Sequence, residues 1–255
     1  MNSRLAALVA ASLTIGIVAL GHGGNRVAAA QADPARLKSV LAQMDAASAT
    51  FTSAQADLRQ ELFTKAVSDT ETQLGQIYVL RKAGSTEMGV RMLAAGAAPD
   101  SPPAQIIEFK DGKLQMLTTG TGQVDVFPAT GKNQATAQTV MTLGFGGSGR
   151  DLEKSWTITD QGAEQMSDGS KTVSVEKLDL VSKDQTIRNN FTHIVIWVDP
   201  TRDVSLKQVS YNAANGTPTG DTRTVFYTNI RLNEKKVNTD PFAIKCKGKC
   251  TFTQH

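Results

Sequence analysis

Hydrophobic side chains recur every three or four residues in the first part of the chain after position 33. The apolar positions follow the i, i+3, i+4, i+7 spacing and are Leu37, Val40, Leu41 and Met44. Asp33 can cap the first turn, and Pro34 suits the first helical position because its missing N–H would be unpaired there in any case. The spacing therefore predicts an amphipathic helix that begins at Pro34.

The period then changes from helical to alternating. In residues 54–62 the even positions are mostly apolar and the odd positions polar, which is typical of a half-buried strand. Ten further runs of strand character follow, at 73–81, 87–93, 105–109, 114–118, 123–127, 155–159, 172–181, 191–199, 204–212 and 222–232. Between two of them, Asp111 and Gly112 favour a type I′ hairpin turn. About eleven strands with short connections predict a mainly β, antiparallel sheet in sequential order that curls or closes.

One stretch interrupts this pattern. Residues 134–142 show no strand bounded by turns, residues 150–154 favour a helix, and four glycines lie between them: Gly144, Gly146, Gly147 and Gly149. Three of these glycines match the G-x-G-x-x-G pattern of dinucleotide-binding loops. That loop needs a strand before it and a βαβ unit around it, and neither is expected here. We therefore predict a helical insert whose glycines form a flexible hinge and permit positive φ.

The N-terminal residues 1–32 have the features of a secretory signal peptide. Arg4 precedes an apolar run at 5–20, and small residues at 30–32 form an A-x-A-like cleavage site. The alternative is a single N-terminal anchor helix. Cleavage after Ala32 removes Arg4 and Arg26 and no acidic residue, so the net charge falls from +3 to +1. A nearly neutral surface gives no reason to expect nucleic acid as a partner. We expect one exported domain at 33–245, followed by a tail at 246–255.

The two cysteines, Cys246 and Cys250, lie in that tail. In an exported protein this pair predicts a local disulfide. A metal site is the alternative, but only His255 is near, and structural zinc sites are almost always four-coordinate. We expect no metal.

The sequence offers no catalytic constellation. His193 is the one histidine inside the predicted fold and lies among apolar residues at a strand start. There is neither a G-x-S-x-G elbow nor an H-E-x-x-H motif. Asp199 and Asp203 flank Pro200, where turn chemistry accounts for them. We expect neither enzymatic activity nor a cofactor.

Two strands are hydrophobic at both parities, at 77–80 and 194–198. Such strands are buried on both sides. Since only 5% of the residues are aromatic, the pattern leaves two interpretations open. One side of the sheet either fills a packed barrel interior or lines a ligand cavity.

From residue 35 to 245 the order of motifs resembles the periplasmic outer-membrane lipoprotein carriers of the LolA type. The motifs that carry the resemblance are residues 51–58 after the amphipathic helix, 75–82, 109–113, 143–147, 196–200 and 227–232. No single motif is decisive, and the resemblance rests on their order and spacing. Two departures are the missing proline and aromatics after Arg81 and the cysteine tail.

The resemblance implies an incomplete antiparallel β-barrel of about eleven strands, closed by helices that form a lid over a hydrophobic cavity. It implies that Arg81, three residues after Tyr78, holds the lid by hydrogen bonds. The residues expected to contact lipid or lid are Arg81, Ile77, Val79, Val90, Met92, Phe145 and Trp156, with Phe145 and Trp156 at the cavity mouth.

The function implied is that of a monomeric periplasmic carrier for acylated lipoproteins or lipids. Its partners would be an inner-membrane lipoprotein-releasing transporter and an outer-membrane acceptor. The alternative within the same fold is a lipid or lipoprotein sensor that regulates envelope stress through a protein partner. A secreted hydrolase is disfavoured because nucleophile and base are missing.

Overall fold

The computed structural model describes residues 33–82, 85–128, 143–246, 248 and 250–254 of the 255-residue chain. The signal peptide expected at 1–32, the first part of the expected insert at 134–142, and His255 lie outside the described residues.

The first helix confirms the prediction from periodicity. Helix α1 spans Pro34–Thr50, and the Asp33 carboxylate accepts a hydrogen bond of 2.9 Å from the amide of Ala35. Its apolar stripe is buried through Val40, Leu41 and Met44. Two short helices follow, α2 (Gly149–Ser155) and α3 (Gln185–Asn190), together with a 3-10 turn at Asp240–Phe242.

The described strands form one sheet. They are β1 (Ser53–Thr64), β2 (Asp69–Lys82), β3 (Ser85–Met92), β4 (Gln105–Lys110), β5 (Lys113–Thr118), β6 (Gln123–Pro128), β7 (Trp156–Ser167), β8 (Thr172–Ser182), β9 (Phe191–Asp199), β10 (Val204–Ala214), β11 (Thr217–Leu232) and β12 (Thr251–Gln254). Their spatial order is β12-β6-β5-β4-β3-β2-β1-β11-β10-β9-β8-β7. The β4–β5 turn has positive φ at Asp111 (50°) and Gly112 (69°), which confirms the predicted type I′ geometry.

The predicted fold class is confirmed, with two differences in the strands. The sheet is mainly antiparallel and stays open, with β12 at one edge and β7 at the other. Pairing follows chain order in each half, but β1 joins the halves by pairing with both β2 and β11. The twelfth strand was not predicted. It has four residues and pairs in parallel with β6, and so short a segment has no periodicity of its own.

The buried side chains fall into three clusters. One lies between α1, α2 and strands β7–β9, the largest surrounds β1–β3 and β9–β11, and a small one lies between β4, β5 and β6. The segments 77–79 and 194–198 are buried at every position. This confirms that both parities of those strands face protein.

The C-terminal segment returns to the sheet and packs against it. The Phe242 ring meets the Tyr78 ring edge-on, with 4.9 Å between centroids. The disulfide between Cys246 and Cys250 follows, and Cys250 packs against the cluster of β4–β6. No helix in the described part of the chain combines the length and apolar character that a membrane crossing requires.

Gly89 leaves the space for this contact, because a Cβ there would lie 2.6 Å from Phe242 Cβ and overlap the Tyr78 ring. We therefore expect Gly89→Ala to lower the free energy of unfolding by about 1–3 kcal/mol, the usual cost of overpacking. Chemical denaturation measures it. Gly120→Ala is the matched control, since nothing lies within 4 Å of its Cβ position. An equal effect in both variants would contradict this account of Gly89.

Candidate functional site

An apolar cavity of about 510 Å³ lies on one face of the sheet, which we call the cavity face. Its apolar lining comes from five strands on one side and from β9, β11 and residues 143–145 on the other: Leu58, Leu62, Ile77, Met88, Val90, Met92, Ile107, Met116, Leu143, Phe145, Phe191, Ile194, Val225 and Tyr227. Polar groups are fewer and are Gln60, Gln73, Gln105, Gln208, Ser210 and Arg223. The volume is within the range of ligand pockets, about 300–1,000 Å³.

The register of the strands brings the apolar lining together. Ile77 pairs with Val90, Val90 pairs with Ile107, and Ile107 pairs with Met116, so one apolar row crosses β2 to β5. Side chains alternate between the two faces of a strand, so all members of a row share one face. A one-residue slip would move the whole row to the opposite face.

Four of the residues expected to contact lipid line this cavity: Ile77, Val90, Met92 and Phe145. Val79 lies on the same face two residues beyond Ile77, is 1% exposed, and belongs to the same apolar cluster without lining the cavity.

Trp156 lies elsewhere. It is 2% exposed in the cluster of α1, α2 and β7–β9. It is the C-cap residue of α2 and packs with side chains of α1 and α2. Trp156 therefore does not lie at the cavity mouth, where it was expected. Its Nε1 has no hydrogen-bond partner among the described residues.

Residues 143–148, here called the glycine loop, cover one side of the cavity. Its Phe145 ring meets the Tyr227 ring edge-on, with centroids 4.9 Å apart. The loop is bound to the start of β10: Ser205 N–H donates to Gly144 O at 2.7 Å, and Gly146 N–H donates to Asp203 O at 3.0 Å. The loop is therefore held by backbone bonds that surround one inserted aromatic ring.

Arg81 joins this loop to the end of α1. Its guanidinium donates to Ser48 O at 2.7 Å and to Gly146 O, and more weakly to Phe51 O at 3.4 Å. Ser48 Oγ also donates to Gly146 O, at 2.8 Å. Three carbonyls from two segments thus accept bonds from one cation, and hydrogen bonds to a charged group are stronger than neutral ones. The position fits the lid arginine implied by the resemblance, and its role in opening stays a prediction.

The glycines of the loop are required by close packing. Gly144 and Gly146 have φ of +85° and +71°, which side chains rarely adopt. A Cβ on Gly144 would lie 2.6 Å from Ser205 Cβ, and one on Gly146 would lie 2.7 Å from Phe51 ring carbons.

Gly149 opens α2 where α1 passes closest. A Cβ there would lie 2.7 Å from the carbonyl carbon of Leu41. The hinge expected at Gly144, Gly146, Gly147 and Gly149 stays a prediction. Close packing in the closed form alone explains why three of these four residues, Gly144, Gly146 and Gly149, are glycines.

Asp203 was missed as a site residue. Its side chain is fully buried, and both carboxylate oxygens lack a hydrogen-bond partner among the described residues. Burial raises the pKa of the Asp203 carboxyl to about 8; the Arg81 charge opposes that shift and the Asp45 charge adds to it. Turn chemistry does account for its φ of +54°, but not for a buried, unpaired acid. No pattern in the sequence signals that burial.

His193 stacks on Tyr211 with ring centroids 4.0 Å apart, which is a packing role. Within the described ranges, no group of three or more His, Cys, Asp or Glu side chains is arranged to hold a metal ion.

No protein-family profile matches the chain, and no curated protein matches it. Solved structures do. An uncharacterized conserved protein from Thermus thermophilus is 12% identical, with a TM-score of 0.49 over 86% of this chain and 99% of that one. A putative outer membrane lipoprotein-sorting protein domain from Vibrio parahaemolyticus is 12% identical, with a TM-score of 0.42 over 80% of this chain and 95% of that one. A LolA superfamily protein from Nitrosomonas europaea is 14% identical, with a TM-score of 0.37 over 82% of this chain and 97% of that one. Similarity at this level does not assign a family.

Arg81→Leu removes the cation that binds the loop to α1. Hydrogen bonds to charged groups contribute about 1.5–3 kcal/mol, so we expect hydrogen exchange at the Gly146 amide to accelerate roughly 10- to 100-fold. Exchange measured by mass spectrometry or NMR gives this rate. Arg91→Leu is the matched control, because Arg91 lies on β3 and makes no side-chain hydrogen bond or ion pair in the described part of the chain. Unchanged protection in Arg81→Leu would show that the backbone bonds to β10 suffice.

Proposed function

We propose that this protein binds the acyl chains of lipoproteins or lipids in the apolar cavity and carries them through the periplasm from the inner to the outer membrane. The observation that carries the proposal is a largely apolar cavity on an open sheet, covered by a loop that a cation and backbone bonds hold in place. The periplasmic location follows from the predicted signal peptide.

The lining favours an acyl chain over a polar ligand. The apolar row from Ile77 to Met116 offers no charged partner, and among the described residues that line the cavity Arg223 is the charged one. Burial of each CH₂ group contributes about 0.8 kcal/mol. A long chain would therefore bind firmly here, and its head group would find partners among the polar lining residues.

Release requires that the bound state not be too stable. The glycine loop is held by hydrogen bonds and by two buried apolar side chains, Leu143 and Phe145. Opening it exposes these side chains and part of the apolar lining, a cost that contacts with an acyl chain would offset. Such a loop can exchange contacts with α1 for contacts with cargo. An inner-membrane transporter that loads the protein and an outer-membrane acceptor that unloads it are the partners this cycle requires.

The carrier role is tested by incubating the purified mature protein with inner-membrane vesicles that contain a radiolabelled triacylated lipoprotein. We expect the lipoprotein to appear in the soluble fraction in complex with the protein. A protein that binds a fluorescent fatty acid but extracts no lipoprotein would contradict the carrier role and favour lipid sensing. Binding of neither would contradict the whole proposal.

Val90→Glu places a carboxylate in the middle of the apolar row. An unpaired charge in an apolar environment is costly to bury, so we expect the affinity for a fluorescent fatty acid to fall at least about 10-fold, which corresponds to 1.4 kcal/mol. Fluorescence titration measures it. Val67→Glu is the matched control, since Val67 is 71% exposed. Circular dichroism verifies that both variants fold. Equal affinities would place the acyl chain elsewhere.

A further inference from the structure

Three residues from different parts of the fold bind Gly146: Ser48, Arg81 and Asp203. Arg81 on β2 donates to the Gly146 carbonyl oxygen, and the Asp203 carbonyl before β10 accepts from the Gly146 amide at 3.0 Å. Asp203 thus belongs to the group of residues that holds the glycine loop. Its backbone takes part in the closed arrangement, and its carboxyl group does not.

The Asp203 carboxyl is without a partner where one would be expected. It is fully buried, and neither oxygen accepts a hydrogen bond from any described residue. Arg81 acts on it only through its charge, because the guanidinium hydrogens are directed to the carbonyls of Ser48 and Gly146. An isolated buried carboxylate is costly, so the neutral, protonated form is favoured while the loop is closed.

The other charged groups nearby take part in ion pairs, and of their side-chain nitrogens only Arg202 Nη2 is buried without a hydrogen-bond partner among the described residues. Asp45 on α1 adds a negative charge but binds Arg150 of α2, at 3.1 Å from Nε to Oδ2. Arg202, adjacent in the chain, binds Asp199 at 2.6 Å and Asp168 at 3.1 Å. Arg81 is the cation whose charge acts on Asp203, and it loses its Gly146 partner when the loop bonds break.

We propose that Asp203 is the alternative partner of Arg81, and that release of the glycine loop is linked to loss of a proton from Asp203. With the loop closed, Arg81 binds the carbonyls of Ser48 and Gly146, and Asp203 holds a proton. When the loop leaves, Arg81 turns to Asp203, and the carboxyl proton passes to water. This inference rests on the proposed function only in treating the loop as the cover of an acyl-binding cavity.

The direction of the pH dependence follows from the protons bound. The pKa of Asp203 is about 8 in the closed form and would lie at or below its ordinary value of 3.8 once the carboxylate pairs with Arg81. Between those values the closed form holds one proton more than the open form. The closed form is therefore most favoured below the lower pKa, loses stability as pH rises through this window, and levels off above the upper pKa. Opening should increase roughly 50-fold between pH 6 and pH 8.

The test compares hydrogen exchange at the Gly146 amide in wild type and in Asp203→Asn, at pH 6 and at pH 8. Asparagine tolerates the positive φ of this position and has the same shape without the acid. The intrinsic chemistry of exchange cancels in the ratio, because the neighbours of Gly146 are unchanged. We expect the ratio of wild-type to variant rates to rise roughly 50-fold between the two pH values. A constant ratio would overturn the proposal.

A second measurement decides the matter if Asp203→Asn does not fold. In the wild-type protein, NMR of the carboxyl carbons gives the Asp203 pKa directly, and a value near 3.8 would overturn the proposal. Binding of a fluorescent fatty acid is followed separately. If no probe binds, the proposed acyl-binding function fails, while the exchange ratio still decides the role of Asp203.

Discussion

One guanidinium group lies at the junction between the cavity cover and α1. Arg81 satisfies carbonyls at the end of α1 and in the glycine loop, and these two segments share no strand pairing. Ser48 strengthens the junction through its hydroxyl bond to Gly146 O. Because these bonds are polar and directional, the loop has one defined closed position. An apolar interface of the same size would hold it less selectively, and its opening would expose more hydrophobic surface.

An open sheet also has two edge strands with unpaired backbone groups, and different elements lie at the two edges. At the β6 end, the C-terminal residues add β12, whose pairing with β6 occupies backbone groups that would otherwise be free. At the β7 end, Arg36 of α1 binds Asp160 at 3.2 Å and also binds Glu176, so a charged pair and a helix lie against the last strands. The additional strand and the helix thus lie at opposite edges of the open sheet.

Periodicity was sufficient for most of the architecture, because α1 and the eleven longer strands are each long enough for a period to emerge in the sequence. It failed for β12 and α3, which are too short for a period to emerge. In the site, Ile77 and Val90 were expected from the resemblance, since the apolar run at 77–80 does not distinguish the two faces of the strand. Arg81 came from a resemblance, since a single arginine carries no periodic signal. Asp203 and Trp156 are buried by segments that are distant in the chain. The residues next to them in the sequence do not reveal that burial.

The glycine pattern of residues 144–149 shows how such a signal arises without a nucleotide. Each of its three glycines meets a different neighbour: Gly144 meets Ser205 of β10, Gly146 the Phe51 ring after α1, and Gly149 the Leu41 carbonyl of α1. A phosphate loop uses its glycines to bring backbone amides near a ligand. Here the Gly146 amide is already bound to Asp203 O. The glycine spacing of a phosphate loop arises here from three close contacts, because one loop of six residues passes between a strand and a helix. The closed loop cannot accept side chains at these positions. The close packing that excludes larger residues is therefore also the source of the backbone freedom that a hinge would use.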